Sequence, residues 1–268
     1  MPTTTVTTWA QFKAAYIAAE GTEADPHVIE IMADLNCNDE PLTGGLNAGN
    51  YYKVINGNYH KIDNLSTQTV VNAVLLQGRY VTYNKCNFVN MLRNENYAFF
   101  GGSYTNYSQV FNDCTIQGKG YEIAGSGIFN RCVISWESAR TYAGHLGSCY
   151  CSYCYITLNY KRDGSSNYDI SSITNCFIKG KIEGANGNTS GWHLVGSAVN
   201  SCINIDTDLN YPLGITGQSN PSAIASAYNT GKMTGTIRDQ SNLKIIPVTD
   251  AQMQDAAYLA SIGLNIIV

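Results

Sequence analysis

Charge is scarce in this chain. Of 268 residues only 13% are Asp, Glu, Lys or Arg, and the formal net charge is −4. With 44% of residues hydrophobic, a chain of this length supports one large domain with a substantial core, or at most two smaller ones, and the low charge argues against extended disorder. Clusters of Lys and Arg are missing, which excludes the basic footprint of a nucleic-acid-binding protein. No run of about 18 apolar residues occurs, so no membrane insertion is expected. The opening Met1-Pro2-Thr3-Thr4-Thr5 lacks a basic segment followed by an apolar one, the pattern of a secretory signal. On that reading the chain is made in a reducing cytosol. Its nine cysteines, an odd number, are then expected to be mostly free thiols.

What is present favours strands and turns. Proline is held to six residues, while Gly reaches 25, Tyr 19 and Asn roughly a tenth of the chain. Six short segments align on a cysteine: Cys86, Cys114, Cys132, Cys154, Cys176 and Cys202, with Ala227 in the same place in a seventh. The spacings of 28, 18, 22, 22, 26 and 25 residues fall in the range of solenoid repeats. An apolar residue stands three before the Cys and Asn is common two before it, where it suits a tight turn. Two after it stand Phe88, Ile116, Ile134, Ile156 and Ile178, with Asn204 breaking the series. In a strand these two positions share a face, so the Cys and its +2 neighbour point inward as a core ladder. The segments between units show no 3.6-residue period, which argues against a helical solenoid. The expected fold is therefore all-β, a parallel β-helix with coils rising about 4.8 Å each. Residues 28–240 would make about nine coils of roughly 23 residues.

Solenoids need their raw ends covered, and both ends carry helix signals. In 1–27, Thr8 caps a helix with Gln11 three residues on; Trp9, Phe12, Tyr16 and Ile17 form its apolar stripe and Gly21 ends it. In 241–268, Thr249 and Gln252 repeat the box ahead of Met253, Ala256, Ala257 and Leu259. Gly263 then stops the helix before a strand at 264–268. Both segments read as lids or interaction ends.

The stretches 194–202 (Leu-Val-Gly-Ser-Ala-Val-Asn-Ser-Cys) and 227–235 (Ala-Tyr-Asn-Thr-Gly-Lys-Met-Thr-Gly) resemble the repeats of GLUG-type, pectate-lyase-like β-helix proteins. The opening block from Trp9 to Asp34 is also similar to the start of such chains. The resemblance implies a single-stranded right-handed parallel β-helix (solenoid) with short capping helices. It also implies three lines of function: phage tail spikes, fibres and other virion appendages; bacterial cell-surface adhesins; and polysaccharide lyases or hydrolases.

Catalysis on such a scaffold requires converging carboxylates. Asp206 and Asp208, the closest acidic pair within a repeat, are the weak catalytic candidates, against a reading as a solvated strand edge. Asp34, Asp39 and Glu40 surround an Asn-rich turn that reads either as a cation loop or as a plain polar loop. Cys149, Cys151 and Cys154 have the crowding of zinc ligands, but two of them already hold inward positions. The four histidines share no spacing, and the Gly-rich stretch 184–191 lacks the Lys-Ser/Thr of a phosphate loop. No cofactor and no resident metal are expected.

The +1 positions Val133, Tyr155, Phe177 and Ile203 would form an outward apolar stripe, read as an oligomer interface unless a loop covers it. Trp136, Tyr142, Tyr160, Tyr168, Trp192 and Tyr211, set among Asn, Gly and Ser, are the candidate ligand-binding aromatics, or loop packing. The expectation is a non-enzymatic recognition protein of a phage virion appendage, made in the host cytoplasm and carried on the virion. It would form a homo-oligomer, by preference a trimer, and bind a host-surface glycan or other virion proteins. The alternatives are an enzyme of the same fold and an extracellular or cell-surface adhesin.

Overall fold

The computed structural model describes residues 1–66, 74–93, 98–101, 109–137, 146, 148–163, 168–185, 193–207, 214–215, 226–233, 238–239 and 245–264. The chain forms two compact units, Met1–Trp136 and Glu137–Val268. Both are built from short strands paired in parallel with the strand one turn of chain earlier, which is the pairing of a β-solenoid.

In the first unit the chain visits three sheets in turn. One contains Thr3–Val6, His27–Ile31, Tyr52–Asn56, Tyr80–Asn84, Gln109–Asn112 and Ser126–Asn130 as successive neighbours. A second contains Leu35–Asn36, Lys61–Asp63, Asn87–Leu92, Thr115–Lys119 and Val133–Glu137. The third contains Leu46–Asn47, Leu76–Gln77, Ala98–Phe100 and Glu122–Ala124. Alternation along each strand sends every second side chain inside. Ile29, Ile55, Tyr83, Phe111 and Phe129 are therefore in register and fully buried. Their rings stack face to face, Tyr83 on Phe111 at 4.8 Å and Phe111 on Phe129 at 4.6 Å.

The corner between the first and second sheets carries the cysteine repeat. The residue before each Cys is left-handed: Lys85, Asp113 and Arg131 have φ of 52°, 55° and 53°. This reverses the chain in one residue and drops the next side chain into the interior. The thiols of Cys114 and Cys132 then lie 3.3 and 3.4 Å from the carbonyl two residues back. They also lie 3.5 and 3.4 Å from a carbonyl of the preceding coil, Tyr83 and Phe111 respectively. The left-handed position is thus one before the Cys. The Asn two before it is the last residue of the strand and not the turn residue that the sequence suggests.

The second unit repeats the corner at Tyr153, Asn175 and Asn200, with φ of 57°, 53° and 47°. Ser148–Ser152, Tyr168–Thr174 and His193–Val199 form one parallel set. Tyr155–Asp163, Phe177–Ala185, Cys202–Thr207, Ser226–Asn229 and Ile245–Val248 form another. Its register corrects the cysteine alignment. Cys202 pairs with Phe177 and Ala227, one place beyond the ladder. The ladder position is taken by Ser201, whose hydroxyl donates to Val199 O at 2.8 Å and accepts the Cys176 N–H at 3.1 Å. Ser226 follows, accepting the Ser201 N–H. A serine hydroxyl fills the role of the thiol, so an alignment made on sulfur alone slips by one residue here, and Ile203 becomes an interior residue opposite Ile178.

Helix α1 (Trp9–Ile17) lies in the chain between the first two strands of the first unit and carries the expected Thr8–Gln11 capping box. It buries Trp9, Phe12, Ala15 and Tyr16, and the Tyr16 hydroxyl meets that of Tyr83 at 3.1 Å. Ile17, expected in the apolar stripe, is 54% exposed. The helix ends on the buried Lys53 ammonium, which donates to Ala15 O and Ala18 O, a cation at the negative end of the helix dipole. Gly21 comes later, at φ 101°, where a Cβ would lie 2.1 Å from Tyr52 O.

At the other terminus the single expected helix is two, α2 (Asp250–Met253) and α3 (Ala256–Ser261). Asp255 breaks the run by capping the second through the N–H groups of Ala257 and Tyr258. Met253, Leu259 and Leu264 pack on Phe177, Cys202, Ala227 and Val248, whereas Ala256 and Ala257 remain exposed. Of the expected final strand at 264–268, Leu264 is described and is not in a strand, and residues 265–268 lie outside the described residues.

All nine cysteines are free and buried, and burial pushes the Cys202 thiol up to about 12. A thiol reagent added to the native protein at neutral pH is therefore expected to label essentially none, with all nine titrating after denaturation. Prompt labelling of the native chain contradicts the winding described above. A second expectation concerns His27, which is 1% exposed and accepts from the Lys53 ammonium at 3.3 Å through Nδ1. Burial first, and the Lys53 charge second, hold its pKa below 6.5. Its neutral form is the folded form, so its contribution is complete above about pH 6.5 and is lost as pH falls through the depressed value. Urea midpoints at pH 7.5 and 5 should differ in that direction, and His27→Asn should flatten the difference.

Candidate functional site

The outer face of the first sheet in the Met1–Trp136 unit follows from the same alternation that fills the core. With Ile55, Tyr83, Phe111 and Phe129 inside, the residues on either side of them point out. They form three columns. Tyr52 and Tyr80 stack at 4.0 Å with their planes 2° apart. Val54, Thr82, Val110 and Ile128, all β-branched, make a half-exposed strip. The third column is Glu30, Asn56, Asn84, Asn112 and Asn130.

The third column is a continuous hydrogen-bonded ladder. Asn130 Nδ2 donates to Asn112 Oδ1 at 2.9 Å, Asn112 to Asn84 at 2.9 Å and Asn84 to Asn56 at 3.0 Å. Asn56 Nδ2 donates to Glu30 Oε1 at 2.6 Å, and Asn58 Nδ2 reaches Glu30 Oε2 at 3.1 Å. Each rung sits one strand spacing, about 4.8 Å, above the last. An amide offers two N–H groups and two acceptor lone pairs. Asn56, Asn84 and Asn112 each spend one of each inside the ladder, which leaves one of each at every rung.

These amides line an open groove of about 550 Å³ together with the left-handed corner residues Lys85, Asp113 and Arg131. Asp113 holds Arg131 by two bonds, to Nε at 2.6 Å and Nη2 at 2.8 Å, and the guanidinium keeps its carboxyl below the usual carboxylate range. Two acids and two bases line the groove, so it carries no net charge. Beside it Tyr59 stands 65% exposed, with the Lys85 ammonium 5.7 Å from its ring centroid. Both Asn58 and Tyr59 are left-handed, at φ 50° and 64°, a conformation that costs energy in side-chain-bearing residues and here turns the ring outward.

The residues singled out from sequence fare unevenly. Trp136 is 2% exposed and packs edge-on against Phe99 at 5.4 Å. It shares the inward parity of Cys132 and Ile134 and is core, which corrects its assignment as a ligand-binding ring. Tyr160 is likewise buried, in line with Ile156 and Leu158. Tyr168 begins a described strand, but its side chain, like Tyr142, Trp192 and Tyr211, lies outside the described residues. Of the expected apolar stripe, Val133 is half-exposed and Tyr155 half-buried, while Phe177 and Ile203 are closed to solvent. Phe177 points outward, but α2 and α3 cover it, and Ile203 points inward through the register shift. Asp206 is exposed opposite Lys181, and Asp208 lies outside the described residues. Asp34 accepts from the Lys61 N–H and lies 3.4 Å from His60. Cys149, Cys151 and Cys154 are all interior. Sequence reasoning missed the amide ladder, although its signal was present: Asn56, Asn84, Asn112 and Asn130 each close a strand directly after a buried apolar side chain, Ile55, Tyr83, Phe111 and Phe129.

Stacked parallel strands with a recurring left-handed corner define this chain as a β-solenoid. It belongs to the family of pectate lyase-like adhesive domains, whose model matches residues 3–214. No curated protein and no solved structure shows significant similarity to it.

Removing a central rung breaks two amide bonds. Asn112→Ala is expected to cost about 1–3 kcal/mol in urea unfolding, because Asn84 and Asn130 each lose a partner in a half-buried site. A cost below the error of that measurement would show that the ladder does not hold the coils together.

Proposed function

We propose that this chain is a non-enzymatic adhesive module that grips an uncharged, hydroxyl-rich glycan on a host surface, and that it is carried on a phage virion appendage. The observation behind the reading is the amide ladder with its unspent donors and acceptors along an electrically balanced groove. Sugar hydroxyls both give and accept hydrogen bonds, which matches a row of amides offering one of each per rung. The apolar faces of sugar rings suit the Val54–Thr82–Val110–Ile128 strip, and exposed Tyr59 offers a flat ring at the rim. Two acids bonded or paired to their neighbours, with two compensating bases, favour a neutral polymer over a polyanion.

The virion assignment rests on the reduced, buried thiols, which suit synthesis in a cytosol. A bacterial cell-surface adhesin is the second reading, favoured by the family's adhesive description. Assembly with further copies is part of the proposal, with Val133, 50% exposed, as the residue of the expected stripe still open to a partner.

Binding to a panel of neutral and acidic surface polysaccharides tests the reading. Retention of a neutral glycan is expected, weakened at least about ten-fold by Thr82→Glu or Ile128→Glu, which add charge at half-exposed positions with little effect on folding. Preference for a polyanion, or release of reducing ends or unsaturated sugar from a bound glycan, would refute it. Immunolabelling of purified particles against bacterial surfaces separates the virion from the adhesin.

A further inference from the structure

Asn56 is followed by Gly57, and an asparagine before glycine is chemically fragile because glycine has no side chain to hinder its backbone nitrogen. Both residues are fixed by the fold. Asn56 is a rung of the ladder. A Cβ on Gly57 would lie 2.6 Å from the Cys86 Cα and 2.8 Å from its sulfur. The fold also immobilises both reacting groups. The Gly57 N–H donates to Asn84 O at 2.8 Å. The Asn56 amide is held at both ends, its Nδ2 giving to Glu30 at 2.6 Å and its Oδ1 accepting from Asn84 at 3.0 Å.

We propose that Asn56 is a latent modification site: it deamidates when this coil opens, and the modified chain does not rewind beside Glu30. In the opened coil the Gly57 nitrogen attacks Asn56 Cγ. The N–Cγ bond forms, the Cγ–Nδ2 bond breaks, and the side-chain nitrogen leaves as ammonia with the proton from the Gly57 amide. Water then opens the five-membered imide at either carbonyl, giving Asp or isoaspartate. An Asp at this position sets a carboxylate against the Glu30 carboxylate where an N–H donor stood. Isoaspartate lengthens the backbone by one methylene and shifts the strand out of register with Asn84. The ladder therefore shields Asn56 from the reaction that would destroy the ladder, and a chain that has opened here carries a permanent mark.

The folded chain and the guanidinium-unfolded chain, incubated at mildly alkaline pH, are compared through the tryptic peptide Val54–Lys61, which separates this site from the Asn186–Gly187 pair. Conversion of Asn56 is expected to be at least about ten-fold slower in the folded chain. Equal rates overturn the protection. The rewinding block is read from two variants. Asn56→Asp is expected to lower the urea midpoint or fail to fold. In Asn56→Asp combined with Glu30→Gln, the amide introduced beside the new carboxylate donates to it, and the midpoint recovers. An Asn56→Asp chain as stable as the parent, or no recovery in the double variant, overturns the role given to Glu30.

Discussion

The corner between the first and second sheets is the constraint on which the described coils depend. One residue in the left-handed region turns the chain, and the next side chain hooks back onto the strand it has just left. Its sulfur or hydroxyl lies against the carbonyl two residues back, and in several coils against a carbonyl of the coil before. The contact is weak when sulfur makes it, yet it recurs at a fixed place in successive repeats, on a side chain that is fully enclosed. It fixes where each strand ends, and therefore which residues point in. A shift of one residue would bring Asn84, Asn112 and Asn130 into the core and turn Tyr83, Phe111 and Phe129 out to water.

That registry has opposite consequences on two outer faces. In the first unit the outward residues beside the corner are amides, which solve their own hydrogen bonding by pairing up the stack and still keep half their capacity for a ligand. In the second unit the outward residues past the corner are Phe177, Cys202 and Ala227, which need cover. Met253 and Leu259 provide it, on helices held by the Thr249 capping box and the Asp255 cap. Polar stacking leaves a face open for recognition, whereas apolar stacking consumes one. An adhesive role fits the first face for this reason, and the second face has already found its partner within the chain.

Much of the scaffold was legible in advance because it rests on short-range rules. The Cys, +2-apolar pattern marks an inward parity that holds through Cys86, Cys114, Cys132, Cys154 and Cys176. Both capping boxes are where Thr and Gln at three-residue spacing put them. The site was harder to read. Asn before Cys looks like a turn residue, since Asn tolerates the left-handed region, but Lys, Asp, Arg and Tyr occupy that region in four of the corners. Their strain is offset by the stacked coils, a context that propensity does not contain. Trp136 and Tyr160 looked like surface rings because their neighbours are polar, yet counting by twos from Cys132 and Ile156 places them indoors.

The amino-acid sequence alone determined the pattern of the repeat unit, the inward parity of five of its thiols and the two helix starts marked by capping boxes, because each depends on residues within a few positions of one another. The tertiary structure decided the rest: that Ser201 replaces a cysteine, that Phe177 is roofed over, and that four asparagines about twenty to thirty residues apart touch. Those outcomes depend on which residues of separate coils lie at the same height, and strand pairing sets that height only once the chain is wound.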